Sequence, residues 1–262
     1  MPDAPRLHFD VHDGDGPYLL LVHGFLSSRA QWIPNIEALY QVARPVVVEL
    51  FGHGRSPSPD DGASYTPAAY VAEFERIRAA LGVERWFICG QSLGAALTLR
   101  YALDHPRRVI AQVFTNSTSA LAEDGWTRAV RPAMEAHAQR IEKEGRAFIE
   151  AHPLNAARSR RLPAQLRAAF AADCLLHDPR GIALTGLHTV PGSSVRRRIA
   201  DNVVPSLLVV GEREERFVAH RRFAEDTMPD LRVVGLDAGH AVNLEAADAF
   251  NAALRAFLAE AR

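Results

Sequence analysis

The feature that most constrains this chain is a serine between two glycines, in Gly90-Gln91-Ser92-Leu93-Gly94. It follows the apolar run Trp86–Cys89, typical of a buried strand, and precedes a segment with a helical pattern. A strand-to-helix turn this tight leaves no room for side chains two positions either side of the serine, which would explain both glycines. The pattern predicts a serine hydroxyl exposed at the N-terminus of a helix. The alternative is an ordinary glycine-flanked turn without chemistry.

Short apolar runs alternate with amphipathic segments, which predicts βαβ units and a mostly parallel sheet. We expect buried strands at Tyr18–Val22, Pro45–Leu50, Trp86–Cys89, Val109–Thr115, Ser206–Val210 and Leu231–Val234. The alternating run Leu7–Val11 is followed by turn residues, which predicts an edge strand and a hairpin. Helices are expected at Ala30–Tyr40, from Pro67 until Gly82 ends it, and at Val242–Ala259.

The alternation stops between Ser119 and Ile199, where the pattern is helical and broken by prolines. We therefore expect a helical cap, residues 119–199, inserted into an α/β core formed by residues 1–118 and 200–262. The stretch Leu121–Ala200 is basic, with 13 Lys and Arg against 8 Asp and Glu. Its arginines either attract a carboxylate-bearing substrate or are solvated charges; the candidates are Arg128, Arg131, Arg158, Arg160 and Arg161.

Composition excludes several classes of protein. The 262 residues are 48% hydrophobic with a net charge of −1, which fits a globular protein and gives no case for nucleic acid or membrane as a partner. Met1–Pro5 has no positive patch followed by an apolar stretch, so we expect no export signal and a cytoplasmic location. Cys89 and Cys174 lie in no metal-ligand spacing. We expect a small-molecule substrate, no cofactor and no metal; a homodimer is left open.

A serine hydroxyl becomes a useful nucleophile when a base takes its proton and a third group orients that base. His240 is the late histidine that lies in a loop after a strand, in Asp237-Ala238-Gly239-His240. Among the other histidines, His8 and His12 lie near the N-terminus, His23 and His53 beside glycines, His105 at a helix end, His220 on a predicted surface helix, and His137, His152, His177 and His188 in the predicted cap. His240 is therefore the candidate base.

Five short motifs in this order resemble the α/β-hydrolase superfamily over nearly the whole chain. They are His23-Gly24-Phe25, Gly52-His53-Gly54-Arg55-Ser56, the serine turn, Gly211-Glu212-Arg213-Glu214 and Ala238-Gly239-His240. The resemblance implies an α/β-hydrolase fold, with helices flanking a mostly parallel sheet, and Ser92 as nucleophile with His240 as base. It also implies an oxyanion hole formed by the backbone N–H groups of Phe25 and Leu93.

The acid is where the sequence departs from the family. Similar proteins usually place an aspartate three residues after the glycine that ends the strand, and counting from Gly211 gives Glu214. Glutamate can also accept the imidazole N–H and stabilise the imidazolium. We favour Glu214, with Glu215 second and Asp237 third; the alternative is that the glutamates are solvated charges.

The resemblance also suggests walls for an apolar pocket. Candidates are Leu26, Trp32 and Val242, together with Phe25 and Leu93. Each of them is equally reasonable as a core residue.

The sequence favours a serine hydrolase that cleaves a carboxylic ester, or a related acyl bond, of a small and largely apolar substrate. Related dehalogenases and epoxide hydrolases use aspartate where this chain has Ser92. The menaquinone-pathway synthase family, which eliminates pyruvate, carries an arginine shortly after the turn, whereas this chain has Ala95-Ala96-Leu97. Hydrolases of carbon–carbon bonds in meta-cleavage products usually carry tryptophan after the histidine, where Ala241 stands. Pyruvate elimination, hydrolysis of a carbon–carbon bond, and a receptor that only binds its ligand remain the alternatives.

Overall fold

The structure is a computed structural model and describes residues 5–261. Seven strands form one sheet: β1 Phe9–Val11, β2 Tyr18–Val22, β3 Arg44–Val48, β4 Trp86–Gly90, β5 Val109–Thr115, β6 Ser206–Gly211 and β7 Leu231–Leu236. Their order is β1-β3-β2-β4-β5-β6-β7, with β1 antiparallel to β3 and every other pair parallel. The predicted α/β class with a mostly parallel sheet is confirmed. Residues 1–4, which carry most of the export-signal argument, lie outside the described part.

Helices connect the strands and cover both faces of the sheet. The α-helices are α1 Ile33–Leu39, α2 Pro67–Ala80, α3 Leu93–Asp104, α4 Trp126–Glu144, α5 Arg146–Ala151, α6 Ala164–Cys174, α7 Pro179–Leu184, α8 Val218–Thr227, α9 Val242–Glu245 and α10 Ala247–Glu260. Short 3₁₀ turns lie at Arg29–Trp32, Gly62–Tyr65, Pro106–Arg108, Ala156–Arg158, Arg196–Asp201 and Glu215–Phe217, and a π-helical turn at Thr185–Thr189. Within residues 5–261, no helix is long and apolar enough to cross a bilayer.

Helix α2 has the ends that its sequence predicts. The hydroxyl of Thr66 accepts the N–H of Ala69 at 3.3 Å, and Pro67 occupies the first helical position. Gly82 follows the last turn with a φ of +68°, a conformation that favours glycine. The helix therefore stops where the chain must turn back into β4.

Strand β4 lies at the centre of the sheet, between β2 and β5, and all its residues are buried. Ile88 faces a core shared with α2 and α3, whereas Phe87 and Cys89 face a second core shared with α1 and α10. A strand covered on both faces reads as a continuous apolar run, as this one does. The loops after β4, β6 and β7 leave the same edge of the sheet, because these strands are parallel.

Two local predictions are wrong. The hairpin between the first two strands does not form, because β2 has β3 and β4 on its two edges and β1 pairs with β3 instead, Phe9 opposite Val48. The expected closing helix is interrupted at Ala246, whose φ of −132° separates α9 from α10.

The helical segment, defined here as residues 126–201 from α4 through the last 3₁₀ turn before β6, lies between β5 and β6. It is tied to the core by polar contacts. Asp173 on α6 accepts the hydroxyl of Ser28 at 2.9 Å, and His177 Nδ1 accepts the N–H of Gly54 at 3.0 Å. All four residues are buried, so these two hydrogen bonds hold the segment against the loops after β2 and β3.

Candidate active site

Ser92 lies on a strained turn between β4 and α3. Its φ of +53° and ψ of −115° fall outside the regions that residues other than glycine normally adopt. A Cβ atom on Gly90 would overlap the carbonyl of Gly94, and one on Gly94 would overlap the carbonyl of Val22. The steric reason inferred for the two glycines is confirmed, since the turn closes against itself and against β2.

His240 and Glu214 meet across the loops that follow β7 and β6. The imidazole Nδ1 lies 3.0 Å from Glu214 Oε1 and 2.9 Å from Oε2. Because a carboxylate only accepts, Nδ1 carries the proton and donates it, which leaves Nε2 as the free acceptor of the ring. This is the tautomer that a general base needs.

The other two candidate acids lie elsewhere. Glu215 is exposed at the start of its 3₁₀ turn. The side chain of Asp237 is 87% exposed and pairs with Arg213 at 3.4 Å. Of the three carboxylates, Glu214 is the one that the structure brings to His240.

The pKa of Glu214 lies below its ordinary value. Burial alone would raise this pKa, but the hydrogen bond and charge of His240, the hydrogen bond of Asn116 and the charge of Arg216 together lower it. Glu214 is therefore held as a carboxylate, the form that accepts from His240.

Asn116 is a site residue that sequence reasoning missed. Directly after β5, its Nδ2 donates to Glu214 Oε2 at 2.7 Å and to the Gly211 carbonyl at 3.1 Å, while its Oδ1 accepts the Gly211 N–H at 2.9 Å. The side chain is fully buried. The available signal was a polar residue at the end of an apolar strand, but the contact spans 98 positions and depends on β5 lying beside β6.

The serine turn lies beside both the histidine loop and the loop after β2. Gln91 donates from Nε2 to the carbonyl of His240 at 3.2 Å. On the other side, a Cβ atom on Gly24 would lie 3.0 Å from the Cβ of Ser92. Only glycine allows the loop to approach the serine this closely.

The loop Gly24–Leu26 is held by two buried histidines. His23 donates from Nδ1 to the Gly24 carbonyl at 2.8 Å and accepts the Leu50 N–H on Nε2 at 3.1 Å. His53 accepts the Leu26 N–H on Nε2 at 3.2 Å, and Leu26 has a φ of +58°. These contacts fix the peptide of Phe25, while the N–H of Leu93, at the first position of α3, has no partner within its helix.

A third histidine extends this cluster into the helical segment. The ring centroids of His23 and His53 are 5.2 Å apart, and those of His53 and His177 are 5.3 Å apart. Burial lowers the pKa of all three, that of His53 well below its ordinary value and that of His177 to about 3. The rings are therefore neutral at pH 7, and each accepts a backbone N–H.

The predicted pocket residues divide into two groups. Trp32 and Val242 are fully buried in the core shared by α1 and α10, and their role as pocket walls stays a prediction. Leu26 instead belongs to a separate apolar cluster with Ile141 and Ile182 of the helical segment. The sequence could not separate these cases, because an apolar residue near a motif fits either role.

All five arginines suggested as anion attractors are exposed: Arg128, Arg131, Arg158, Arg160 and Arg161. Arg161 pairs with Glu245 at 3.4 Å, and Glu245 also accepts the N–H of Gly239, the residue before His240. Among residues 5–261, no three His, Cys, Asp or Glu side chains are grouped to hold a metal ion.

A strained serine after the central strand and a histidine–carboxylate pair after the last two strands are the arrangement of the α/β hydrolases. The family model described as the alpha/beta hydrolase fold matches residues 17–247. The chain belongs to this family of enzymes.

Two curated relatives align over most of both chains. The proposed carbamate hydrolase RutD of Agrobacterium fabrum is 30% identical, over 96% of this chain and 98% of its own. The proposed 2-succinyl-6-hydroxy-2,4-cyclohexadiene-1-carboxylate synthase of Bacillus subtilis is 28% identical, over 92% and 89%.

Solved structures show the same fold. MenH from S. aureus superposes with a TM-score of 0.85 at 21% identity, covering 97% of this chain and 98% of its own. The enol-lactonase from Burkholderia xenovorans gives 0.75 at 23% identity, covering 97% and 96%. At these identities the likeness concerns the fold alone.

Proposed function

We propose that this α/β hydrolase cleaves a carboxylic ester, or a related acyl bond, of a small and largely apolar substrate through an acyl-enzyme on Ser92. The observation that carries the proposal is the bond between His240 Nδ1 and the Glu214 carboxylate, at 2.9 and 3.0 Å, in the loop that Gln91 ties to the serine turn. A serine, a base and an orienting acid are the parts that acyl transfer requires.

In the first half of the reaction, Ser92 Oγ attacks the ester carbonyl and His240 Nε2 takes its proton. The carbonyl oxygen becomes an oxyanion, which the N–H groups of Phe25 and Leu93 stabilise. Glu214 stabilises the imidazolium that forms. When the tetrahedral intermediate collapses, the alcohol leaves with the proton from His240, and the acyl group remains on Ser92.

In the second half, water attacks the acyl-enzyme while His240 takes a proton from it. A second tetrahedral intermediate forms over the same N–H donors. Its collapse returns the proton to Ser92 Oγ and releases the carboxylic acid. The enzyme is thereby regenerated without any other reactant.

The apolar side chains where the loop after β2 meets the helical segment favour an apolar, uncharged substrate. Leu26 packs there with Ile141, Phe148 and Ile182, and the half-buried ring of Phe25 lies against the same cluster. The five arginines suggested as anion attractors are exposed and supply no buried charge for a carboxylate. We propose that the segment acts as a cap that selects apolar acyl or alcohol groups.

The elimination of pyruvate, the reaction of the menaquinone-pathway synthases that the chain partly resembles, is the second candidate, and one relative is named as a synthase. Against it, Ala95 and Ala96 are buried against Phe114 and Leu208, which leaves no guanidinium at the position where that family carries arginine. For carbon–carbon hydrolysis, Ala241 stands in place of the usual tryptophan. An ester therefore fits the site better than either alternative.

The test is hydrolysis of a short p-nitrophenyl ester by the wild-type chain and by Ser92→Ala. We expect the variant to stay folded and to lose at least about 10⁵-fold in kcat, because the nucleophile is gone. Equal activity in Ser92→Ala would refute the acyl-enzyme.

A substrate panel then separates the candidate reactions. It contains esters of increasing acyl length, a lactone, a thioester, a carbamate and a vinylogous diketone. The proposal predicts the highest kcat/KM on an uncharged short ester. A preference for the carbamate or the diketone by an order of magnitude would replace the ester as substrate class while keeping Ser92.

A further inference from the structure

The side chain of Asn116 contacts both the end of the β5–β6 strand pair and the carboxylate of the proposed acid, Glu214. Strands β5 and β6 pair in parallel up to Thr115 opposite Val209. One residue further along, the Asn116 carboxamide takes the place of a peptide group and bonds both the N–H and the carbonyl of Gly211. The strand pair is thus extended by a side chain.

The orientation of this carboxamide follows from its partners. The Gly211 N–H can be bonded only by the oxygen, so Oδ1 faces it at 2.9 Å. Nδ2 then has two hydrogens, one for the Gly211 carbonyl at 3.1 Å and one for Glu214 Oε2 at 2.7 Å. The flipped amide would set its oxygen against the Glu214 carboxylate and is excluded.

Glu214 Oε2 therefore accepts from two sides, from Asn116 and from His240 at 2.9 Å. A glutamate has one more rotatable bond than aspartate, so its carboxylate has more positions to occupy. A buried donor fixed to the backbone of β6 removes that freedom.

We propose that Asn116 is a positioning residue, a neutral donor that holds the Glu214 carboxylate against His240 Nδ1 and so allows glutamate to serve as the triad acid. The inference rests on the proposed function of Ser92, His240 and Glu214. Its chemical requirement is specific: position 116 must supply a donor without a negative charge.

The experiment compares Asn116→Asp with Gln112→Glu, a matched replacement of an amide by a carboxylate on β5, the strand that Asn116 follows. Gln112 is buried near the start of the β5–β6 pair, where its Nε2 donates to Asn202 at 2.8 Å and to Ser206 at 2.9 Å. Both variants remove a buried donor that ties β5 to β6. Only Asn116 touches Glu214.

In Asn116→Asp two carboxylates share one site, which raises the pKa of Glu214. We expect kcat to fall about tenfold to hundredfold with little change in KM, and the acidic limb of kcat/KM to move up by about one pH unit. Other charged groups near Glu214 are unchanged in both variants: His240, Arg216, Glu212, Arg221, Arg222 and Glu225. Gln112→Glu should lower stability but leave the pH profile in place.

A second readout does not depend on esterase activity. Proton NMR in water should show a downfield resonance for the His240 Nδ1–H, assigned by its loss in Glu214→Gln. Replacing Asn116 should shift or broaden this resonance, while replacing Gln112 should not. If the wild-type chain cleaves no ester but shows this pattern, the proposed function fails and the positioning of Glu214 stands.

If either carboxylate variant fails to fold, Asn116→Ala and Gln112→Ala form the replacement pair. A loss in kcat confined to Asn116→Ala, with KM within about twofold of wild type, supports the proposal. Overlapping pH profiles and unchanged resonances in the Asn116 variants, or equal losses in kcat for the two positions, would overturn it.

Discussion

Helices α3 and α4 flank the same site and are packed in opposite ways. Nine of the 12 residues of α3 are buried, from Leu93 onward, whereas Ile141 is the single buried residue among the 19 of α4. Helix α3 begins at the strained Ser92, and its first turn is pressed against β2. Helix α4 instead lies across the surface of the helical segment.

This difference suggests that the two regions have different roles in the enzyme. A strained backbone persists where its surroundings over-determine it, so the proposed nucleophile needs the dense packing around α3. A helix with few buried contacts opens at lower free energy, which suits a cap that admits substrate. We therefore expect catalysis to depend on the edge of the sheet and substrate selectivity to depend on the helical segment.

The largest effect is expected from the acid loop of the sheet edge. Glu214→Gln removes the carboxylate that orients and stabilises the His240 imidazole, and it should lower kcat by about 10³- to 10⁴-fold. Glu215→Gln is the control, because Glu215 is exposed beside it and should keep wild-type kcat. Steady-state kinetics on the p-nitrophenyl ester measures both. A larger loss in Glu215→Gln would reverse the assignment of the acid.

A pair of glycines compares the packing of the two regions directly. Gly94→Ala places a methyl group on the carbonyl of Val22 and should cost about 3 kcal/mol in the free energy of unfolding. Gly186→Ala, in the π-helical turn of the helical segment, meets Met134 at 3.7 Å and Phe25 at 3.9 Å, which are ordinary contacts. It should change stability by less than about 1 kcal/mol.

Urea denaturation of both variants gives these free energies. Equal costs at the two glycines would mean that the two regions are packed alike, and the comparison would fail.

A smaller, pH-dependent effect on stability is expected at His177, where the helical segment contacts the core. Burial lowers the pKa of His177 to about 3 in the folded chain, from an ordinary value of 6.5. The unfolded chain therefore binds the proton more tightly, and the contribution of His177 to stability is full above pH 6.5 and is lost as the pH falls toward 3. This one group can add a slope of up to about 1.4 kcal/mol per pH unit.

His177→Asn keeps an acceptor for the Gly54 N–H but does not titrate, so the slope of stability between pH 6.5 and 4.5 should decrease. His188→Asn is the matched control, because His188 is exposed in the same segment. Unfolding curves at several pH values test both. A wild-type slope in His177→Asn would contradict the lowered pKa.

What the sequence predicts about the site depends on how local each signal is. The serine turn was predictable because strand, glycines and helix are contiguous in the chain. The choice of Glu214 required counting from Gly211, and the contact with His240 then depended on β6 lying beside β7. Asn116 was missed because no local pattern reveals which strand lies next to β5.

The fold shows the same limit. The apolar runs predicted the strands, but the antiparallel pairing of β1 with β3 depends on which edges β2 leaves free. Trp32 and Val242 illustrate a related limit, since hydrophobicity predicts burial without revealing which face of the sheet covers the residue. Strand pairing, and the face of the sheet on which a side chain lies, depend on tertiary structure, and a single sequence predicts them poorly.

Covalent labelling shows whether Ser92 is an activated nucleophile. The folded wild-type chain and Ser92→Ala are incubated with a fluorophosphonate, and the adduct is located by mass spectrometry of peptides. We expect one adduct on Ser92 in the wild type and none in the variant. An unlabelled wild-type chain, or the same adduct in Ser92→Ala, would contradict it.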